Sequence, residues 1–181
     1  MLAEDVRARL ALQVERLRAV APAVAWVARD NVHLTLKFLG SVETARLDVV
    51  SRALLAAAAA VEPFEIGLRG LGGFPSPARP RVIWAGLDDG AAATAALARE
   101  VDGALAALGF PPEARAFSAH VTLGRVRAPR ANRGLTEMLA RGGDLGRQRV
   151  DRLVLMRSQL SSRGARYTEL VEAPLGPGAS G

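Results

Sequence analysis

His33-Leu-Thr-Leu36 and His120-Val-Thr-Leu123 are the two stretches on which the reading of this chain turns. In an extended strand successive side chains point to opposite faces. His33 then shares a face with Thr35, and His120 with Thr122. Leu34, Leu36, Val121 and Leu123 take the other face and anchor each stretch to a core. A single His-x-Thr carries little information, because threonine favours strands anyway. The repetition carries more: the chain holds two histidines, and both sit in this one pattern. If a pseudo-two-fold axis relates the repeats, the two His/Thr pairs face each other across a cleft.

Two opposed imidazoles suit displacement at a phosphodiester. One, neutral, takes a proton from the attacking water or hydroxyl; the other, protonated, gives a proton to the leaving oxygen. Imidazole supplies both forms near neutral pH. The hydroxyls of Thr35 and Thr122 can donate hydrogen bonds to the non-bridging oxygens. Arg125, two residues beyond the second motif, can add charge as the transition state forms. These residues need no metal and no cofactor.

Composition agrees by exclusion. The 181 residues contain no cysteine, which removes disulfides, thiolate nucleophiles and thiolate metal sites. Half the residues are hydrophobic and 23% are charged, the balance of a folded chain. No apolar run approaches the roughly 20 residues of a membrane helix. The opening Met1-Leu-Ala-Glu-Asp5 places acids where a signal peptide needs an apolar run, so the expected address is the cytoplasm, with no membrane partner. The net charge is +6, and Lys37 is the only lysine among 24 basic residues. From Arg115 to Arg166 the chain has 12 arginines against Glu137, Asp144 and Asp151, so the excess lies in the C-terminal third. Arginine forks suit phosphate, although an Ala- and Arg-rich chain also places many arginines on a merely solvated face.

The periodicities predict helices over about 4–19, 43–60 and 91–108, and a short one around Leu135, Met138 and Leu139. Strands are predicted over 24–27, 33–38, 64–71, 81–87, 116–126, 152–160 and 166–171, with a Gly/Pro loop over 72–80. Val49, Val50, Leu54 and Leu55 form the expected buried stripe of the second helix. No linker divides the chain, so residues 1–172 read as one domain with 173–181 as a flexible tail. The mixture without strict βαβ repetition is α+β.

Further segments fill out the pattern. Asn31-Val-His-Leu-Thr-Leu-Lys-Phe-Leu-Gly40, Gly73-Phe-Pro-Ser-Pro-Ala-Arg-Pro-Arg-Val-Ile-Trp84, Phe117-Ser-Ala-His-Val-Thr-Leu-Gly-Arg125 and Leu155-Met-Arg-Ser-Gln-Leu-Ser-Ser-Arg-Gly-Ala-Arg-Tyr167 occur in this order. Together they resemble the RNA 2′,3′-cyclic phosphodiesterases, also called 2′-5′ RNA ligases, of the two-histidine (2H) phosphoesterase superfamily. The likeness covers about residues 3–172. It implies a two-lobed, pseudo-symmetric α+β fold with antiparallel sheets around a central cleft and helices outside. It implies action on RNA with 2′,3′-cyclic phosphate ends, hydrolysing them to 2′-phosphomonoesters and joining RNA ends reversibly through 2′-5′ linkages; the expected state is a monomer. Carried over, His33 protonates the departing 3′ oxygen, His120 activates water, and Thr35, Thr122 and Arg125 hold the phosphate.

Two departures from the family pattern stand out. Family members open with a hydrophobic strand before the first helix, whereas this chain enters that helix directly. Ser118-Ala119 stands where Arg-Pro is common before the second motif. Two other readings compete: a phosphodiesterase for small cyclic nucleotides or ADP-ribose cyclic phosphate, and a non-catalytic RNA-binding module using the arginine-rich third. Trp84 reads as core and Phe74 as loop packing, with a base-stacking wall as the alternative; Arg79 and Arg81 are candidate phosphate contacts.

Overall fold

The first helix, α1 (Glu4–Val20), forms where the apolar spacing predicts it and turns Val6, Leu10, Val14 and Leu17 into the core. Glu4 and Asp5 in its first turn and Arg18 in its last complement the helix dipole. The computed structural model describes residues 2–161 and 164–176. The remaining elements are β1 (Ala25–Trp26), α2 (Leu47–Ala59), β2 (Phe64–Phe74), β3 (Val82–Asp89), α3 (Ala91–Ala106), β4 (His120–Arg125), α4 (Arg133–Ala140), β5 (Asp144–Val150), β6 (Arg152–Ser161) and β7 (Gly164–Pro174). The mixture is α+β, and every strand pairing for which a register is given is antiparallel.

The chain divides into two compact units, each drawn from three separated segments. The first comprises Met1–Leu34, Ile66–Gly90 and Ala119–Gln148. Its five-stranded sheet runs β1-β4-β3-β2-β5. Ile66, Leu68, Ile83, Ala85, Val121, Leu123 and Leu145 are all buried, and with the stripe of α1 they supply the core of this unit. Asn132 caps α4 by accepting from the Leu135 amide at 3.0 Å, and its Nδ2 donates to the Val20 carbonyl at 2.9 Å. One side chain thus ends α1 and starts α4.

The second unit comprises Thr35–Glu65, Ala91–Ser118 and Arg149–Gly181. The β6–β7 hairpin forms a sheet of its own, and α2 packs on both α3 and the hairpin. Val50, Leu54, Ala57, Ala58, Leu97, Val101, Leu105, Phe110, Leu153, Ala173 and Leu175 make its core. Ala57 and Ala58 share the buried stripe of α2 with Val50 and Leu54, so the stripe departs from the expected one. Val50 and Leu54 are buried, Val49 is half-buried, and Leu55 is exposed.

Several expected boundaries shift for local reasons. Residues 33–38 are not a strand; they meet β4 only at the bridge Leu34↔Val121. Beyond it the Lys37 ammonium is buried against the Asp102 carboxylate and donates to the Pro111 carbonyl at 2.7 Å, which leads the chain away from the ladder. Likewise β4 begins at His120, not near 116. The Glu113 amide donates to Asp102 at 3.2 Å, which ties the preceding segment to α3. The expected loop over 72–80 yields its first three residues to β2, where Gly72 and Gly73 pair with Trp84 and Ile83. A Cβ on Gly72 would lie 2.3 Å from the Trp84 ring, so glycine serves ring packing there. The edge strand β5 was not expected. Its arginines and Gly146 (φ +106°) break the alternation, and Leu145 is its one buried large apolar side chain.

Residues 173–176, expected as the start of a tail, are anchored. Ala173, Leu175 and Gly176 are buried, and the Gly176 amide donates to the Val61 carbonyl at 2.7 Å. The rest of the expected tail, 177–181, lies outside the described residues.

Candidate active site

β4 positions three of the five candidate residues. His120 and Thr122 are half-buried, while Val121 and Leu123 are fully buried, as strict alternation requires. Alternation alone would then send Arg125 to the core side with Leu123. A register shift prevents this: Ile83 pairs with Gly124, but the next residue, Trp84, pairs with Thr122. Leu123 is the extra residue of a β-bulge, a device that re-aims the side chains beyond it. The pairings Gly86↔His120, Trp84↔Thr122 and Val82↔Arg125 consequently put His120, Thr122 and Arg125 on one face of the sheet. Gly124 inside the bulge has no room for a side chain, since a Cβ there would lie 2.7 Å from Val24 and 2.8 Å from Trp26.

His33 reaches the same face through the bridge. Antiparallel pairing of Leu34 with Val121 sets His33 opposite Thr122. The His33 Nδ1 lies 2.8 Å from the Asn31 carbonyl oxygen. A carbonyl only accepts, so Nδ1 carries the hydrogen and Nε2 is the nitrogen that gains or loses a proton. The Asn31 carbonyl thereby sets the tautomer and the ring orientation of His33. Thr35, one residue past the bridge, is exposed and is grouped with the second unit.

The His120 imidazole meets the Phe74 ring edge-on, with centroids 5.2 Å apart and planes at 86°. Phe74 in turn lies 5.2 Å from Trp84, whose indole covers Gly72. Cross-strand from His120 stands Gly86, which leaves the imidazole no side chain to compete with at its paired position. Phe74 and Trp84 are therefore neither loop packing nor plain core. Both belong to the face that carries His120, Thr122 and Arg125. The signal lay in the alternation Gly72-Gly73-Phe74 against Val82-Ile83-Trp84, which glycine-rich composition disguised as a loop.

Among the described residues no group of three or more His, Cys, Asp or Glu side chains lies together as metal ligands. Among the same residues no helix is long and apolar enough to cross a membrane. Among the described residues the one clearly perturbed carboxyl is Asp102, in the second unit. The Lys37 ammonium holds it below the usual aspartate range, opposed by partial burial and helped by the Glu113 amide.

The profile of the 2′-5′ RNA ligase superfamily matches residues 6–161. A protein of Methanothermobacter thermautotrophicus named RNA 2′,3′-cyclic phosphodiesterase is 33% identical over 171 residues, spanning 93% of this chain and 92% of the relative. A protein of the same name from Aeropyrum pernix is 38% identical over 148 residues, spanning 81% and 83%. Among solved structures, TT0787 of Thermus thermophilus superposes with a TM-score of 0.78 at 29% identity, covering 98% of this chain and 95% of that one. E. coli LigT complexed with NADP+ gives 0.69 at 26% identity, covering 97% and 94%. With both histidine motifs inside the matched span and relatives alike over nearly their whole length, the chain belongs to the 2′-5′ RNA ligase superfamily.

Proposed function

We propose that this protein hydrolyses 2′,3′-cyclic phosphate ends of RNA to 2′-phosphomonoesters, with His33 as general acid and His120 as general base. The observation that carries the reading is the common face of His120, Thr122 and Arg125, with His33 set opposite Thr122 by the Leu34↔Val121 bridge. The relatives' name supplies the substrate class.

In the proposed step, neutral His120 takes a proton from water as the water oxygen bonds to phosphorus. The bond from phosphorus to the 3′ oxygen breaks, and protonated His33 gives its Nε2 proton to that oxygen. The products are a free 3′-hydroxyl and a 2′-phosphomonoester. Proton exchange with solvent resets both rings. Thr122, Arg125 and the Thr35 hydroxyl of the same first motif donate to the non-bridging oxygens, where negative charge grows in the transition state. A 5′-hydroxyl of a second RNA in place of water gives a 2′-5′ linkage by the same proton transfers, in line with the superfamily's description.

The test is turnover of an oligoribonucleotide ending in a 2′,3′-cyclic phosphate, with EDTA present, by wild type and by His33→Ala and His120→Ala. Hydrolysis by wild type and its loss in both variants is expected. Equal turnover by the variants, or RNA binding without turnover by wild type, would sink the reading. Preference for a mononucleotide or ADP-ribose cyclic phosphate would move the substrate to a small molecule.

A further inference from the structure

The sheet of the first unit is electrically polarised along its strands. At the end where β3 finishes, Arg69 meets Asp88 at 3.8 Å and Arg147 meets Asp89 at 3.0 Å, so acid and base balance there. The opposite end holds arginine alone. Arg79, Arg81, Arg125, Arg127 and Arg130 are all exposed, and neither 74–87 nor 120–136 contains an Asp or Glu. Among the described residues none of these five arginines belongs to an ion pair, whereas Arg133, the next along the chain, is answered by Glu137 at 2.7 Å.

Hydrogen bonds bring the five to this one end. β2 and β3 pair down to Phe74↔Val82, and the Arg81 amide donates to the Phe74 carbonyl at 2.6 Å, which closes the connection carrying Arg79 and Arg81. The Val126 amide donates to the Arg81 carbonyl at 2.9 Å, so Arg81 lies beside the segment that carries Arg125 and Arg127. The Thr136 hydroxyl donates to the Pro77 carbonyl at 3.3 Å, which holds the same connection to α4, the helix that begins just after Arg130. Arg125 joins this cluster to the site. It shares a face with His120 and Thr122 and lies about 10 Å beyond Thr122 along β4. Like charges gathered without carboxylates attract a polyanion, and guanidinium forks suit phosphate. A single phosphate group engages only one or two such forks; a chain of phosphates can engage them all.

We infer that this end of the sheet is a track for the RNA strand: the cyclic end lies at His120 and Thr122, and the phosphates upstream of it leave past Arg125 over Arg79, Arg81, Arg127 and Arg130. This inference rests on the proposed phosphodiesterase activity. It gives the substrate a direction, with the upstream chain running toward the β2–β3 connection and away from Asp88 and Asp89, and a preference for oligonucleotides over mononucleotides.

The test pairs binding with turnover. Fluorescence anisotropy follows 5′-labelled RNAs of two, four and six nucleotides ending in a 2′-phosphate, and kinetics compares a cyclic-ended hexanucleotide with a 2′,3′-cyclic mononucleotide. Wild-type affinity should rise with length. In Arg79→Ala/Arg81→Ala/Arg127→Ala/Arg130→Ala that rise should vanish, and affinity for the hexanucleotide should fall about tenfold or more. The slope of log affinity against log salt should flatten by about 0.7 for each phosphate contact removed. Arg127→Gln/Arg130→Gln, a milder change, should give a smaller loss in the same direction. The loss in kcat/KM should be much larger on the hexanucleotide than on the mononucleotide. Arg69→Ala/Arg147→Ala, at the acidic end, should leave the length dependence in place. Unchanged hexanucleotide affinity in the fourfold variant, an equal loss from Arg69→Ala/Arg147→Ala, or equal losses on both substrates overturns the inference. Absence of wild-type turnover overturns the proposed function instead, while anisotropy still reads the track.

Discussion

Leu34 and Val121 pair as an antiparallel bridge, and this single contact sets His33 opposite Thr122. The apolar residue between the histidine and the threonine of one motif meets its counterpart in the other. Val121 is fully buried, so the register is held by packing as well as by backbone hydrogen bonds. Filling this position with charge should break the pairing. Val121→Asp is expected to unfold the first unit or to abolish activity in whatever remains folded, as read by circular dichroism alongside turnover.

The histidines themselves are half-buried rather than core residues. His33→Ala and His120→Ala should each lower kcat by roughly 10²–10⁴-fold, the usual worth of general acid–base catalysis. The melting temperature should change little. A large drop in melting temperature with preserved specific activity would assign the two rings a structural role.

Arg125 depends on the bulge at Leu123 for its direction. Arg125→Ala should cost about 10²–10³ in kcat, as loss of a donor to developing negative charge does. Gly124→Val tests the bulge rather than the arginine. Its side chain would collide with Val24 and Trp26, so it should destabilise by about 1–3 kcal/mol and lower activity together. Thermal melts and steady-state kinetics on the two variants separate the effects.

Gly72 lies beneath the Trp84 indole. Gly72→Val should displace that ring, loosen its contact with Phe74 and so disturb the edge-on partner of His120. The expected readout is a loss of near-ultraviolet circular dichroism from tryptophan together with reduced kcat.

Asp102 gives the pH prediction. Its carboxyl is held low in the folded protein by Lys37, so the pairing stabilises above the unfolded value of about 3.9 and is lost as pH falls through the lower folded value. Asp102→Asn should therefore lower the melting temperature near neutrality and leave a shallower dependence on pH below about 4. Parallel melting curves with no pH-dependent difference would contradict the assignment.

The His-x-Thr repeat, the helices α1 and α3 and the strands β6 and β7 were legible because each rests on local periodicity. What escaped was decided by partners distant in sequence. Residues 33–38 look like a strand, yet Lys37 leaves the ladder to meet Asp102, 65 residues away. The stretch Gly72–Phe74 looks like a loop because its glycines answer to Trp84 on the next strand. The chemistry of Arg125 was suggested by its place after the motif, but its direction follows from one extra residue in the ladder, which no spacing rule reveals. β5 has too few buried apolar side chains to announce itself.

The most direct test of the central claim is hydrolysis of a cyclic-ended RNA in ¹⁸O-labelled water, with EDTA present and the product read by phosphorus NMR and mass spectrometry. The account predicts a 2′-phosphomonoester carrying one labelled oxygen on phosphorus, formed by wild type and by neither histidine variant. A 3′-phosphomonoester, or a labelled product formed equally well by His33→Ala or His120→Ala, would contradict it.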